Sequence, residues 1–180
     1  MFAALFGRRG AESSPRVSRA AQRASQRRAA LSDESAFWEN ALREGSMAWR
    51  GRLPSLLRHA RRGVPPKLRA RVWAHFVSRA RRQYIPVTWP PQTYCTYCSR
   101  PEGAVGDVLR EIDLDVDRTG VGSAARTRQL RAVLLAFAQR NPAVGYCQGL
   151  NFIAAMLLHV FRGAEEEAFW GLVVIVEVST

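Results

Sequence analysis

The chain has 180 residues, with 27 Lys+Arg against 15 Asp+Glu and a formal net charge of +12, and 47% of its residues are hydrophobic. That apolar content supports one buried core and excludes disorder over the whole chain. Three cysteines exclude a disulfide framework. The apolar runs Leu150 to Phe161 and Ala168 to Val176 are too short for a membrane span. No secretory leader is legible at the start, and a reducing intracellular, cytoplasmic setting is the expectation.

The charge is unevenly placed. Residues 1–82 carry a net of +14 and residues 83–180 a net of −2. Residues 1–31 hold seven Arg, one acid and little apolar periodicity, and read as a disordered basic tail; their Arg- and Ser-rich, acid-poor composition also resembles an organellar transit peptide. Ser32-Asp33-Glu34-Ser35 reads as a helix start. Phe37, Trp38, Ala41 and Leu42 follow on one helical face, with Gly45 placed to end it.

Pro65-Pro66 opens a further helix at its first turn. Leu68, Val72, Trp73, Phe76 and Val77 form its apolar stripe, with arginines mostly on other faces. Residues 84–106, with four prolines, read as an irregular connection. Within it Cys95-x-x-Cys98 has metal-ligand spacing, but four ligands for a structural zinc cannot be assembled, and two loop cysteines between tyrosines are the preferred reading. His75 and His159 read as core or edge packing residues. No nucleophile triad, glycine-rich phosphate loop or GxGxxG is present.

Glu111 to Gly120 is an acidic run ended by Arg118, read as a polar segment between helices. It is either a solvated, salt-bridged loop or a device that presents an arginine held by carboxylates. Ala124 to Gln139 is helical, with Leu130, Val133, Leu134, Phe137 and Ala138 inward, and Asn141-Pro142 stops it. Gly145-Tyr146-Cys147-Gln148-Gly149 is a short polar turn, either a plain connection or a functional loop whose glycines let an amide come close to a partner. Leu150 to Phe161 is a helix with Leu150, Ile153, Ala154, Leu157, Leu158 and Phe161 inward, closed by Gly163. A last helix starts at Glu165 to Glu167, where acids suit the helix dipole. Its β-branched run from Val173 to Val176 would also suit a strand. The whole reads as all-α.

These segments, in this order, resemble the TBC-domain family of Rab GTPase-activating proteins over roughly residues 50–180. Arg61 to Trp73 is similar to the family's opening, with its R-x-x-x-W element at Arg69 and Trp73. Ile112 to Thr119 matches I-x-x-D-x-x-R-T. Asn141 to Asn151 matches the segment around Y-x-Q, and Glu167 to Trp170 fits the helix that follows.

The resemblance implies a multi-helix TBC-like domain over residues 32–180 that stimulates GTP hydrolysis by a Rab-like small GTPase, and hence a place in vesicle trafficking. Arg118 would be the arginine finger and Gln148 the water-positioning residue. Asp115, Thr119, Tyr146 and Gly149 would support the site or touch the partner, and Arg69 and Trp73 would be framework under it. GTP and Mg²⁺ would belong to the partner, with no cofactor or metal of the chain's own.

The family usually has Pro before its Arg and an aromatic-Pro pair after the Thr. Here Asp117 and Gly120-Val121 stand in those places, which keeps a Rab-binding module of weak or no activity as the alternative. The resemblance also implies that the family's C-terminal helices are missing beyond Thr180, leaving Val173 to Val178 without cover. The basic half would steer the protein toward an acidic membrane or partner. Without a stacking or recognition-helix motif, nucleic acid is not an expected partner.

Overall fold

A computed structural model describes residues 15–86, 93–101 and 106–178. Among them every regular element is helical: α1 (Pro15–Arg62), α2 (Arg69–Tyr84), α3 (Tyr94–Cys98), α4 (Val108–Thr119), α5 (Ala124–Arg140), α6 (Leu150–Val160) and α7 (Glu165–Val178). This is the all-α class expected. No helix among the described residues is long and apolar enough to cross a membrane.

Residues 1–14 of the expected tail lie outside the described residues. From Pro15 onward the basic segment is helical and runs without a break through Ser32 to Ser35, so the helix start expected there is not one. The Ser35 hydroxyl instead donates back to the Leu31 carbonyl at 2.8 Å, four residues earlier, a bond made inside a helix. Gly45 does break α1: its φ of 75° and ψ of 177° are non-helical. Across that bend Glu34 meets His59 at 2.8 Å and Arg62 at 3.6 Å. The Trp49 indole N–H donates to the Ala41 carbonyl at 2.8 Å.

Around these contacts Trp38, Ala41, Leu42, Trp49, Leu56, Val64, Leu68 and Val72 form a small core between α1 and α2. A larger core is built from α3 to α7, with Phe137, Phe169, Leu134, Leu157 and Leu172 fully enclosed. Trp73 is half-buried and packs against both.

α5 is the hub, packing against α3, α4, α6 and α7, and α7 in turn packs against α2 and α6. The Arg81 guanidinium stacks 3.6 Å from the Trp170 ring centroid. Arg140 forks onto the Glu177 carboxylate at 3.1 and 2.9 Å and also donates to the Tyr97 hydroxyl at 3.1 Å. Such bidentate, partly buried pairs fix geometry better than exposed single contacts. Val173 is buried and only Ile175 of the run it opens is exposed, so the expected lack of cover over Val173 to Val178 is confined to that side chain and its half-buried neighbours.

Two segments read as irregular are helical. α3 is a single turn inside the 84–106 connection. Thr93 and Thr96 cap it reciprocally, while Tyr94 and Tyr97 face inward and the two cysteines are exposed. The acidic run from Glu111 belongs to α4. Ile112 and Val116, one turn apart, are its buried anchors, and its charged residues cover the remaining faces. His159 is exposed on α6, not packed in a core.

Candidate functional site

The C-terminal turn of α4 and the loop between α5 and α6 meet through a chain of hydrogen bonds. Gly120, with φ 64° and ψ 43°, takes the left-handed conformation that ends α4, so Arg118 stands in the last turn, where a cation suits the helix dipole. One turn earlier Asp115 is the node. Its carboxylate Oδ2 accepts from the Tyr146 hydroxyl at 2.7 Å, and its Oδ1 lies 4.0 Å from Arg118 Nη1. Its backbone carbonyl accepts from the Thr119 hydroxyl at 2.6 Å.

From Thr119 the chain of bonds crosses to α6. Asn151 Nδ2 donates to Thr119 Oγ1 at 2.8 Å, and Asn151 Oδ1 accepts from the Gly149 N–H at 3.1 Å. Asn151 is 2% exposed. Its amide therefore satisfies one group on each side of the junction without help from solvent, as a buried polar side chain must. On the far side of α4, Arg131 of α5 donates to Asp113 at 2.6 Å and fixes the helix to its neighbour.

Tyr146 is buried. Burial first, and then the Asp115 carboxylate that accepts its proton, raise the phenol well above its ordinary value. It therefore remains a donor to Asp115 over the whole working pH range. Arg118 is different in kind: its side chain is 72% exposed, and its pairing with Asp115 is long. Exposed pairs of this sort contribute about 0–1 kcal/mol, so the guanidinium leaves Asp115 at little cost when a stronger anion arrives. Gln148 is exposed in the loop, directly before the bonded Gly149.

Gly149 has φ 107° and ψ −27° and forms the N-cap of α6. A Cβ built there would meet nothing within 4 Å, so the backbone alone calls for glycine. Gly149→Ala is expected to cost about 1–2 kcal/mol through the strained φ. The melting temperature should fall by roughly 2–8 °C, which thermal denaturation followed by circular dichroism measures; an unchanged midpoint would show that the loop relaxes at no cost.

Of the residues expected at the site, the structure brings together Asp115, Arg118, Thr119, Tyr146 and Gly149, with Gln148 in the same loop. Arg69 and Trp73 are not part of this network. Arg69 is exposed at the start of α2, where its Nε donates to the Val64 carbonyl at 3.0 Å, and Trp73 joins the two cores. Asn151 was not among the expected site residues. The available signal was its position on the inward arc of α6, beside Leu158 on the helical wheel, where a polar residue has to find partners.

The RabGAP-TBC family, described as the Rab-GTPase-TBC domain, matches residues 66–179. The chain is 40% identical over 151 residues to TBC1 domain family member 2A of Bos taurus, covering 77% of this chain and 16% of that protein. It is 42% identical over 124 residues to the Homo sapiens protein of that name, covering 65% and 13%. It is 34% identical over 148 residues to TBC1 domain family member 2B of Mus musculus, covering 78% and 15%. The chain thus spans about one sixth or less of the length of these relatives. No solved structure matches. A family match that extends through α2 to α7 and takes in the whole Asp115–Asn151 network establishes that the chain belongs to the RabGAP-TBC family.

Proposed function

We propose that this chain stimulates GTP hydrolysis by a Rab-family small GTPase, supplying Arg118 and Gln148 to the partner's nucleotide site. The observation that carries the proposal is the hydrogen-bonded junction: the turn that bears Arg118 is tied to the loop that bears Gln148, and both side chains remain free to reach a partner.

The chemistry follows from the residue types. Charge that grows on the transferring phosphoryl oxygens needs a fixed, planar, multi-donor cation, and an arginine fork matches phosphate geometry. The attacking water needs an oriented donor and acceptor, and a glutamine amide offers both. Neither residue exchanges a proton, so catalysis is positioning and electrostatics. Asp115 sets the arginine's starting position, and Tyr146, Thr119 and Gly149 hold the two segments in register. Arg69 and Trp73 act as framework. GTP and Mg²⁺ are carried by the partner.

The test is single-turnover hydrolysis on a panel of purified Rab GTPases loaded with GTP. At least one member should hydrolyse its nucleotide faster with the chain present. Failure to accelerate any member would overturn the proposal.

A second reading, a binding module without activity, is favoured by one feature: the Asp115 carboxylate, 4.0 Å from Arg118, competes with phosphate for the guanidinium, and the exposed Asp117 adds negative charge to the same turn of α4. It predicts binding that prefers the GTP-loaded partner, with no rate change when the partner is saturated.

A further inference from the structure

The candidate site leaves the most highly charged element unused. Between Pro15 and Ser32 the chain carries five arginines, Arg16, Arg19, Arg23, Arg27 and Arg28, and no acid. All of this lies in α1, and residues 19–29 are exposed. Arg19, Arg23, Arg27 and Leu31 follow one another at four-residue spacing. At about 100° per residue they share an arc of roughly 120° and form a row about 18 Å long.

Like charges repeated at i+4 weaken an isolated helix, so the row is not explained by the helix's own stability. A facing layer of negative charge removes that repulsion and gains attraction at each arginine. The row ends on Leu31, which is 59% exposed. Beyond it the same helix is anchored to the folded part by Trp38 in the small core and by Glu34 against His59.

We propose that this arm of α1 docks flat on an anionic bilayer surface. Clusters of four to eight basic residues on a helix recognise acidic lipid headgroups through such charge complementarity. Two features favour lipid over nucleic acid. The arginine row terminates in an exposed leucine, which the headgroup–acyl boundary accepts and a phosphodiester backbone does not require. No aromatic residue lies between Phe6 and Phe37, so the arm offers no stacking platform for bases. The residues between the arginines are Ala, Ser and Gln with a single Val17, so the arm rests at headgroup level and does not insert deeply.

The experiment is cosedimentation of the full chain with vesicles of phosphatidylcholine, with and without phosphatidylserine, at stepped salt. Binding is expected only to the phosphatidylserine vesicles and should weaken steeply as salt rises. Each arginine facing the surface contributes about fivefold, so the combined Arg19→Gln, Arg23→Gln and Arg27→Gln variant should lose on the order of a hundredfold in partition coefficient. These side chains are exposed, so the variant's helical circular dichroism should match the parent. Leu31→Ser should weaken vesicle binding further while leaving binding to a duplex DNA oligonucleotide unchanged. Equal binding to vesicles without phosphatidylserine, undiminished binding by the triple variant, or tighter binding to the duplex at the same ionic strength would each overturn the proposal.

Discussion

Arg118→Ala should remove about 10³–10⁵ of the proposed stimulation of GTP hydrolysis, the range an arginine finger supplies, or about 4–7 kcal/mol of transition-state stabilisation. The size of the loss follows from where the interaction is made. In the free protein Arg118 makes a long contact with Asp115 and is mostly exposed, so deleting it costs the fold within about 0.5 kcal/mol. Nearly the whole effect should then appear in the rate at saturating partner, with the melting temperature unmoved.

Arg118→Lys keeps the charge but not the planar fork, and should recover only a small part of the rate. Gln148→Ala removes a single oriented group and should cost on the order of 10². Single-turnover hydrolysis with each variant, on the partner that the parent chain stimulates best, provides the measurement. Full stimulation by Arg118→Ala would remove the arginine from the chemistry.

The second large effect concerns a residue buried beneath the site. Asn151 donates to Thr119 Oγ1, whose own proton is already committed to the Asp115 carbonyl. The hydroxyl has only lone pairs left for Asn151. An aspartate at this position would face those lone pairs with its own and bury a charge that the Gly149 N–H offsets only in part.

Asn151→Asp is therefore expected to cost about 3–5 kcal/mol at neutral pH, or roughly 6–20 °C in melting temperature. Asn151→Ala, which leaves unpaired neutral groups, should cost about 1–3 kcal/mol. The aspartate variant carries a distinctive sign with pH. Burial raises the folded carboxyl above its unfolded value near 3.9, so the folded state binds more protons in the interval between the two. Stability must then fall as pH rises through that interval, and return as pH drops. The protonated acid, with one donor and one acceptor, reproduces the amide's pattern. Thermal melts of both variants across acidic to neutral pH would decide the matter: an aspartate variant at neutral pH no less stable than the alanine variant would contradict the assigned hydrogen-bond directions.

How legible the molecule was depended on where its charge sits. α5, α6 and α7 were readable because unbroken apolar stripes announce a period of 3.6. α7 also showed its acidic first turn, which outweighed the β-branched run. α4 was not readable as a helix. Its inward face is carried by Ile112 and Val116 with a half-buried Val108 and Leu109, and the acids at every second position from Glu111 to Asp117 mimic a loop. α3 was hidden for another reason: it is a single turn, and its cap is a Thr-Thr exchange and not the usual Ser/Thr with Glu.

At the site, Arg118 and Gln148 came from motif resemblance, and no periodicity pointed to them. The hydrogen bonds that bring their segments together were out of reach, since Tyr146 to Asp115 and Asn151 to Thr119 each join residues about thirty apart. Only the inward placement of Asn151 could have hinted at one of them.

The division of the interior into two cores has a consequence for how the protein opens. Asp115, Tyr146 and Asn151 draw their support from the larger core, while α1 is held by the smaller one and by the shared Trp73. Opening of the α1 unit releases the Trp38–Trp49 cluster without loosening a single bond at the α4–α6 junction. Amide protons of α1 should therefore exchange with solvent through a cheaper, subglobal fluctuation than those of α5 and α7, as separate cooperative units do. The chemistry and the arginine-rich arm can then be tuned, or lost, independently of each other.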